Sequence, residues 1–162
     1  MPEFGIHKYH AFISYAREDK ALVDDLYKRL TRWRAPASLL KREGRFGRSP
    51  RRLGVYLDRK SQESGGALSS GLREKLEQSA FLIVLCSSAS KSPKSWVTRE
   101  IEHFLKVSSA DRIIPVILRD HEDQPLEEVL PGPLLDLGED APVGADLLHD
   151  GGVVPVTHKI IG

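Results

Sequence analysis

A glutamate one helical turn after a tryptophan is the feature of this sequence whose spacing first suggests chemistry. Trp96 and Glu100 lie in the stretch KSWVTREIEHFL, which begins like an amphipathic helix. The carboxylate of Glu100 is either an ordinary surface charge or a group that the helix presents to a ligand. Because successive residues of an α-helix are about 100° apart, helical geometry can separate these two alternatives.

The apolar residues of this segment form one stripe that we expect to face a sheet: Val97, Ile101, Phe104 and Leu105. Trp96, Glu100 and His103 form a neighbouring stripe, because residues i, i+4 and i+7 stack on one side of a helix. Glu102 falls on the opposite, wet side, where it can pair with Lys106. The spacing therefore predicts that Glu100 lies at the edge between core and cleft, with Glu102 as an internal control.

Short apolar runs elsewhere in the chain predict the sheet that would position this helix. Four of them read as strands, at residues 10–15, 53–57, 81–86 and 112–118. The third is continuously apolar, which is typical of a strand covered on both faces of a parallel sheet. Pro115, inside the fourth run, favours an edge position or a strand end because proline cannot donate to the ladder.

Helical patterns lie between these runs. Apolar residues recur at helical spacing in two sets: Leu22, Leu26, Leu30 and Trp33, and then Leu68, Leu72 and Leu76. Strands that alternate with helices predict an α/β fold, an open parallel sheet with helices on both faces. In such a sheet, ligands bind beyond the carboxyl ends of the strands. Three segments would meet there, at residues 14–19, 58–71 and 87–96.

Several other chemistries are disfavoured by what the sequence lacks. It has no G-x-x-x-x-G-K-[ST] phosphate loop, no G-x-G-x-x-G and no G-x-S-x-G elbow, and its six histidines show no metal spacing. The one cysteine, Cys86, ends an apolar run, so we expect it in the core of a protein from a reducing compartment. No stretch resembles a signal peptide or a membrane helix, which predicts a soluble, cytoplasmic protein.

Charge is distributed unevenly along a chain whose net charge is only +1. Residues 32–52 contain eight Lys or Arg and one acid, whereas residues 120–150 contain no Lys or Arg. Residues 34–52 read as a basic insertion before the second strand, and solvated loops explain both regions more simply than a contact between copies. Membrane and nucleic-acid binding are disfavoured, although the insertion leaves a polyanion binder as a weaker alternative.

The order of four blocks resembles a Toll/interleukin-1 receptor (TIR) domain of the bacterial type: HAFISYARED, LGVYLDR, FLIVLCSSASKSPKSWVTREIEHF and RIIPVIL. The resemblance spans about residues 9–118 and implies a flavodoxin-like fold, normally with five parallel strands. We divide the chain into an N-terminal extension (1–8), a TIR domain (9–131) and an irregular part or linker (132–162), in which GVVPV (152–156) is one short strand.

The same resemblance implies two kinds of function, because some TIR domains only assemble and others cleave NAD+ at the nicotinamide ribosyl bond. The enzymes carry a W-x-x-x-E pattern, which Trp96 and Glu100 match. The expected activity is an NAD+ glycohydrolase or cyclase with Glu100 as the catalytic carboxylate, NAD+ as substrate and no metal or other cofactor. Glu100 would stabilise the oxocarbenium-like ribosyl centre or accept hydrogen bonds from the ribose hydroxyls, while Trp96 would cover the site.

Further substrate-binding positions follow from the resemblance. Ala16 and Arg17 stand where the animal enzyme of axon degeneration has paired arginines that bind NAD, so only Arg17 keeps the charge. Asp58 and Glu63 match a D-x-x-x-x-E-x-G loop pattern, in which substrate contact and turn formation are equally good explanations.

Two residues beyond Gly65, Ala67 replaces an aromatic residue of the axon-degeneration enzyme, so stacking from that position is lost or supplied elsewhere. The resemblance also implies homotypic self-association through the loop 58–71, which would switch the activity on in anti-phage defence. An additional sensor domain or partner protein is expected. The alternative is a TIR scaffold or adaptor mimic that acts by homotypic binding alone.

Overall fold

The computed structural model describes residues 8–34, 43–44, 47–48, 52–57, 68–92, 95–121, 123–138 and 145–146. Its main sheet contains five strands: β1 (Tyr9–Ser14), β4 (Val55–Leu57), β5 (Ser79–Cys86), β6 (Ile113–Ile117) and β7 (Ala145–Asp146). All strand pairs of this sheet are parallel, and the strand order is β4-β1-β5-β6-β7. This is the 2-1-3-4-5 order of a flavodoxin-like sheet, as predicted.

Helices cover both faces of the sheet. Helix α1 (Lys20–Arg32) packs against one face, and α2 (Ser70–Glu77), α3 (Val97–Val107) and the short α4 (Gly132–Leu135) pack against the other. Three 3₁₀ turns, at Arg17–Asp19, Ala110–Arg112 and Leu126–Glu128, and a two-residue ribbon of β2 (Glu43–Gly44) and β3 (Gly47–Arg48) complete the described elements. No helix among the described residues has the length and apolar character needed to cross a membrane.

Strand β5 is the centre of the fold because all eight of its residues are buried. That burial confirms the prediction drawn from its continuous apolar run, and Cys86 at its end is fully buried. Burial also raises the pKa of the Cys86 thiol, which keeps it protonated and unreactive. The cysteine is therefore a core residue, as expected.

Two details of the predicted elements were wrong. Helix α1 buries Leu26 and Leu30 as predicted, but Leu22 is 45% exposed and Val23 is buried in its place. Strand β6, which contains Pro115, is not at the edge of the sheet, because β7 lies outside it. The pairing with β7 begins only after the proline, at Val116 and Ile117. The strand predicted at 152–156 lies outside the described residues.

A histidine fastens the edge strand β4 to β1. The backbone N–H of Gly54 donates to Nδ1 of His10 at 2.7 Å, and the N–H of His10 donates to the carbonyl of Gly54 at 2.8 Å. The first of these bonds requires Nδ1 to be unprotonated. Burial lowers the pKa of His10, which favours that same neutral form.

We therefore expect the contribution of His10 to stability to be complete above pH 6.5 and lost as the pH falls toward its lowered folded pKa, because only the unfolded chain takes up the proton easily. A broken hydrogen bond of this kind costs about 1 kcal/mol. His10→Asn, which keeps an acceptor but does not titrate, should flatten the pH dependence of urea unfolding between pH 5 and 7. His121→Gln, at an exposed turn, should leave that dependence as in wild type.

Candidate active site

A cleft of about 240 Å³ opens where the chain leaves the carboxyl ends of β1 and β5. One wall consists of Tyr15, Ala16, Arg17 and Glu18, and the other of Ala89, Ser92, Ser95 and Trp96. Because β1 and β5 are neighbours from which the connections run to opposite sides, the cleft lies at the topological switch point of the sheet, the usual ligand site in this architecture. Two of the three predicted rim segments, 14–19 and 87–96, therefore meet here.

The first wall follows directly from the end of β1. Tyr15 and Ala16 are buried, each 4% exposed, and the 3₁₀ turn that follows carries Arg17 and Glu18 on its exposed side. A cation and an acid thus stand side by side at the mouth of the cleft. Arg17 is the cation of this wall, and the buried Ala16 beside it also lines the cleft.

The second wall ends at the start of α3, whose predicted stripes the structure confirms. Val97, Ile101 and Phe104 are fully buried, Leu105 is partly buried and Glu102 is exposed. Ser95 lies just before the helix, where its Oγ accepts from the N–H of Val97 at 3.2 Å. The apolar stripe therefore fixes how α3 presents its N-terminal turn to the cleft.

Trp96 and Glu100 occupy successive turns at this end of the helix. Trp96 is half-buried and lines the cleft, and the Arg99 guanidinium lies 4.9 Å from the centre of its ring. Glu100 is only 3% exposed, and its N–H donates to the carbonyl of Trp96 at 3.0 Å. Glu100 is not among the residues that line the cleft, so its carboxylate lies on the buried side of the border that the spacing predicted.

A hydrogen bond joins the two walls. The Ser87 hydroxyl donates to Oδ2 of Asp19 at 2.5 Å, although the residues are 68 positions apart. Burial raises the pKa of the Asp19 carboxyl, the hydrogen bond from Ser87 opposes this shift, and the nearby acids Glu18 and Asp120 add to it. The negative charge of the Asp19 carboxylate is therefore less stable at this position than in water.

A second polar group connects the loop after β5 to the end of β6. The Ser88 hydroxyl donates to Oδ2 of Asp120 at 2.9 Å, and the Gln124 amide donates to Ser88 at 3.1 Å. Oε1 of Gln124, a residue that is 4% exposed, accepts from the N–H of Asp120 at 2.7 Å. Consecutive serines therefore hold carboxylates from two different strand ends.

The remaining predicted positions cannot be placed. Asp58 and Glu63 lie outside the described residues, as do Gly65, Ala67 and most of the loop 58–71. The basic insertion is described only at Arg34, Arg52 and the small ribbon. Within the described ranges, no cluster of three His, Cys, Asp or Glu has the arrangement of a metal site.

Sequence reasoning missed the side chains that hold the cleft together, although it named the segments that contain most of them. Asp19 and Ser87 lie in the two predicted rim segments, but nothing in their spacing pairs them. Asp120 and Gln124 follow the fourth predicted strand, and the rule about carboxyl ends would have nominated that segment too.

Comparisons with known proteins agree with this architecture. A family model described as TIR domain matches residues 11–146, which extends past residue 131 to include β7. The chain is 38% identical over 112 residues to the NAD(+) hydrolase ApTIR of Actinoplanes sp. (strain ATCC 31044 / CBS 674.73 / SE50/110). That alignment covers 68% of this chain but only 14% of the relative, so the chain corresponds to a small part of that protein.

A solved structure gives the same fold at lower sequence similarity. The TIR domains in the activated Roq1 resistosome, which directly recognises the pathogen effector XopQ, align with a TM-score of 0.50 and 19% identity. The alignment covers 95% of this chain and 82% of the other. The family model matches most of the chain, and the sheet order and the two helical layers agree with it. This chain therefore belongs to the TIR-domain family.

Proposed function

We propose that this chain cleaves the nicotinamide ribosyl bond of NAD+ and that Glu100 is the catalytic carboxylate. The observation that carries the proposal is the position of Glu100, buried one turn from Trp96, which lines a cleft at the switch point of the sheet. The 38% identity to a protein named as an NAD(+) hydrolase supports the same activity. NAD+ is the substrate in this proposal, and the reaction needs no further cofactor.

The chemistry requires an anion close to the reacting ribose. As nicotinamide leaves, positive charge develops on the ribosyl carbon and ring oxygen, and a fixed carboxylate stabilises that charge more in the transition state than in the ground state. At an effective dielectric constant near 20 and a separation of about 4 Å, the attraction is roughly 4 kcal/mol. That amount corresponds to an acceleration of about a thousandfold.

The size of the cleft limits what it can hold. At about 240 Å³, it is smaller than the roughly 300–1,000 Å³ of typical small-molecule pockets, so these described residues would enclose only one end of a dinucleotide. We assign that end to the nicotinamide ribose beside Trp96, with the exposed Arg17 directed to the diphosphate. Because Glu100 is buried and is not among the residues that line the cleft, we propose that the Trp96 side chain moves aside when the ribose binds.

The rest of the substrate would be bound by the loop 58–71 of a neighbouring copy, in which Asp58 and Glu63 are the candidate contacts. Such an arrangement couples activity to self-association and fits a cytoplasmic enzyme of anti-phage defence that a sensor domain or partner protein activates. The reaction ends in hydrolysis or in cyclisation, depending on whether water or a ring nitrogen of the adenine attacks the ribosyl centre.

Nicotinamide release from NAD+ tests the activity directly. We expect release whose rate rises more steeply than in proportion to protein concentration, and higher rates when the protein is clustered on beads or by a molecular crowder. If concentrated and clustered protein releases no nicotinamide, the hydrolase proposal is wrong and a scaffold that acts by homotypic binding remains.

A further inference from the structure

The two walls of the cleft meet through the side chains of Asp19 and Ser87. Asp19 ends the 3₁₀ turn that places Arg17 at the mouth of the cleft, and Ser87 begins the loop that runs to Trp96. Their hydrogen bond, at 2.5 Å, joins the segments that carry the two walls, although neither side chain lines the cleft itself. We call this pair the Asp19–Ser87 clamp.

The clamp takes Asp19 away from its ordinary structural role. Asp19 is the N-cap of helix α1, a position where an aspartate normally accepts a hydrogen bond from the first turn of its own helix. Its side chain makes no capping hydrogen bond here and accepts from Ser87 instead. Local helix stability therefore does not explain why the carboxylate is directed to Ser87.

Ser87 is held firmly from its own side. Its Oγ accepts from the N–H of Ser90 at 3.1 Å, while the Oγ of Ser90 accepts from the N–H of Ser87 at 2.8 Å. Ser87 is 6% exposed and Ser90 is fully buried. Because these bonds fix Ser87, a shift of Asp19 would also displace the loop residues Ala89 and Ser92, which line the cleft.

We propose that Asp19 is a substrate-positioning residue, which sets, through Ser87, the spacing between Arg17 on one wall of the cleft and Trp96 on the other. The inference rests on the proposed function, because the spacing matters for a ligand that touches both walls. A dinucleotide that spans a diphosphate contact and a ribose contact is such a ligand. Loss of the clamp would then weaken substrate binding more than it slows the bond cleavage.

Three variants of the full chain test the clamp by steady-state nicotinamide release: Asp19→Ala, Ser87→Ala and the double variant. Loss of a hydrogen bond to a charged group lowers an equilibrium constant about tenfold or more. Each single variant should therefore raise KM about tenfold, with a smaller change in kcat. The double variant should be no worse than either single one, because the same bond is lost. Asp19→Asn, which keeps an acceptor for Ser87, should restore KM to within about threefold of wild type.

A matched control is available far from the cleft. Ser109 also donates its hydroxyl to an aspartate, Asp111, in the turn before β6, and both residues are at least partly exposed. Ser109→Ala should leave KM unchanged. If Asp19 is only structural, Asp19→Ala will lower the melting temperature and the active fraction but leave the KM of the folded molecules unchanged. That result would overturn the inference. KM increases that multiply in the double variant would also overturn it.

Binding separates this inference from the proposed function. Calorimetric titration of NAD+ into Glu100→Gln protein, with and without Ser87→Ala, should show Kd about tenfold higher without the serine hydroxyl. If wild-type protein binds NAD+ but releases no nicotinamide, the hydrolase proposal is wrong. The Kd comparison still tests whether the Asp19–Ser87 clamp positions the ligand. If NAD+ does not bind at all, both are wrong.

Discussion

Glu100→Gln should reduce the rate of nicotinamide release about a thousandfold. The substitution keeps the shape of the side chain and removes its charge, so it removes the roughly 4 kcal/mol of attraction to the ribosyl cation while the packing of α3 stays the same. Because Glu100 is only 3% exposed, water screens its charge little, which supports an effect of this size. The measurement is kcat for nicotinamide release at saturating NAD+.

Glu102→Gln is the matched control for this prediction. Glu102 lies two residues further along the same helix but is exposed, so removal of its charge should change kcat by less than about twofold. Thermal unfolding of both variants should resemble that of wild type, which would show that the loss belongs to chemistry. Equal losses in the two variants, or full activity in Glu100→Gln, would rule out Glu100 as the catalytic carboxylate.

Most of the fold was predictable because the spacing of the apolar residues indicates which segments are strands or helices and which of their faces are buried. The continuous run of β5 predicted a strand buried on both faces, and the period of α3 predicted which of Val97, Glu100 and Glu102 face the core, the border and the water. The same signal fails where neighbouring residues are both apolar. Leu22 and Val23 satisfy the helical period of α1 about equally well, and only packing against the sheet selects Val23.

The site was less predictable because its geometry depends on contacts between distant segments. Asp19 and Ser87 are 68 residues apart, and neither lies in a motif that would pair it with the other. Strand β7 is only two residues long and shows no periodicity, so its pairing with β6 could not be inferred before the sheet was seen. The spacing placed Glu100 beside the cleft, but the depth of its burial is a result of tertiary packing.

Phe104→Ala should have the largest effect on stability. The ring of Phe104 is fully buried in the layer between the sheet and helices α2, α3 and α4, where truncation leaves a cavity that the surrounding helices cannot fill. A phenylalanine truncated in a core costs about 3–5 kcal/mol, a large part of the roughly 5–15 kcal/mol that stabilises a domain. We expect a lower urea midpoint with an unchanged slope and a fall in melting temperature of about 6–20 °C.

The effect on activity should differ in kind from that of Glu100→Gln. At a temperature where Phe104→Ala protein is still folded, NAD+ cleavage should persist with a KM close to that of wild type, because the ring does not line the cleft.

Leu105→Ala, at the next and only partly buried position, should reduce the free energy of unfolding clearly less than Phe104→Ala. If Phe104→Ala destabilised no more than Leu105→Ala, the core would be looser around α3 than its burial indicates. The inference that the apolar stripe fixes how α3 presents its N-terminal turn to the cleft would then be wrong, since Phe104 belongs to that stripe.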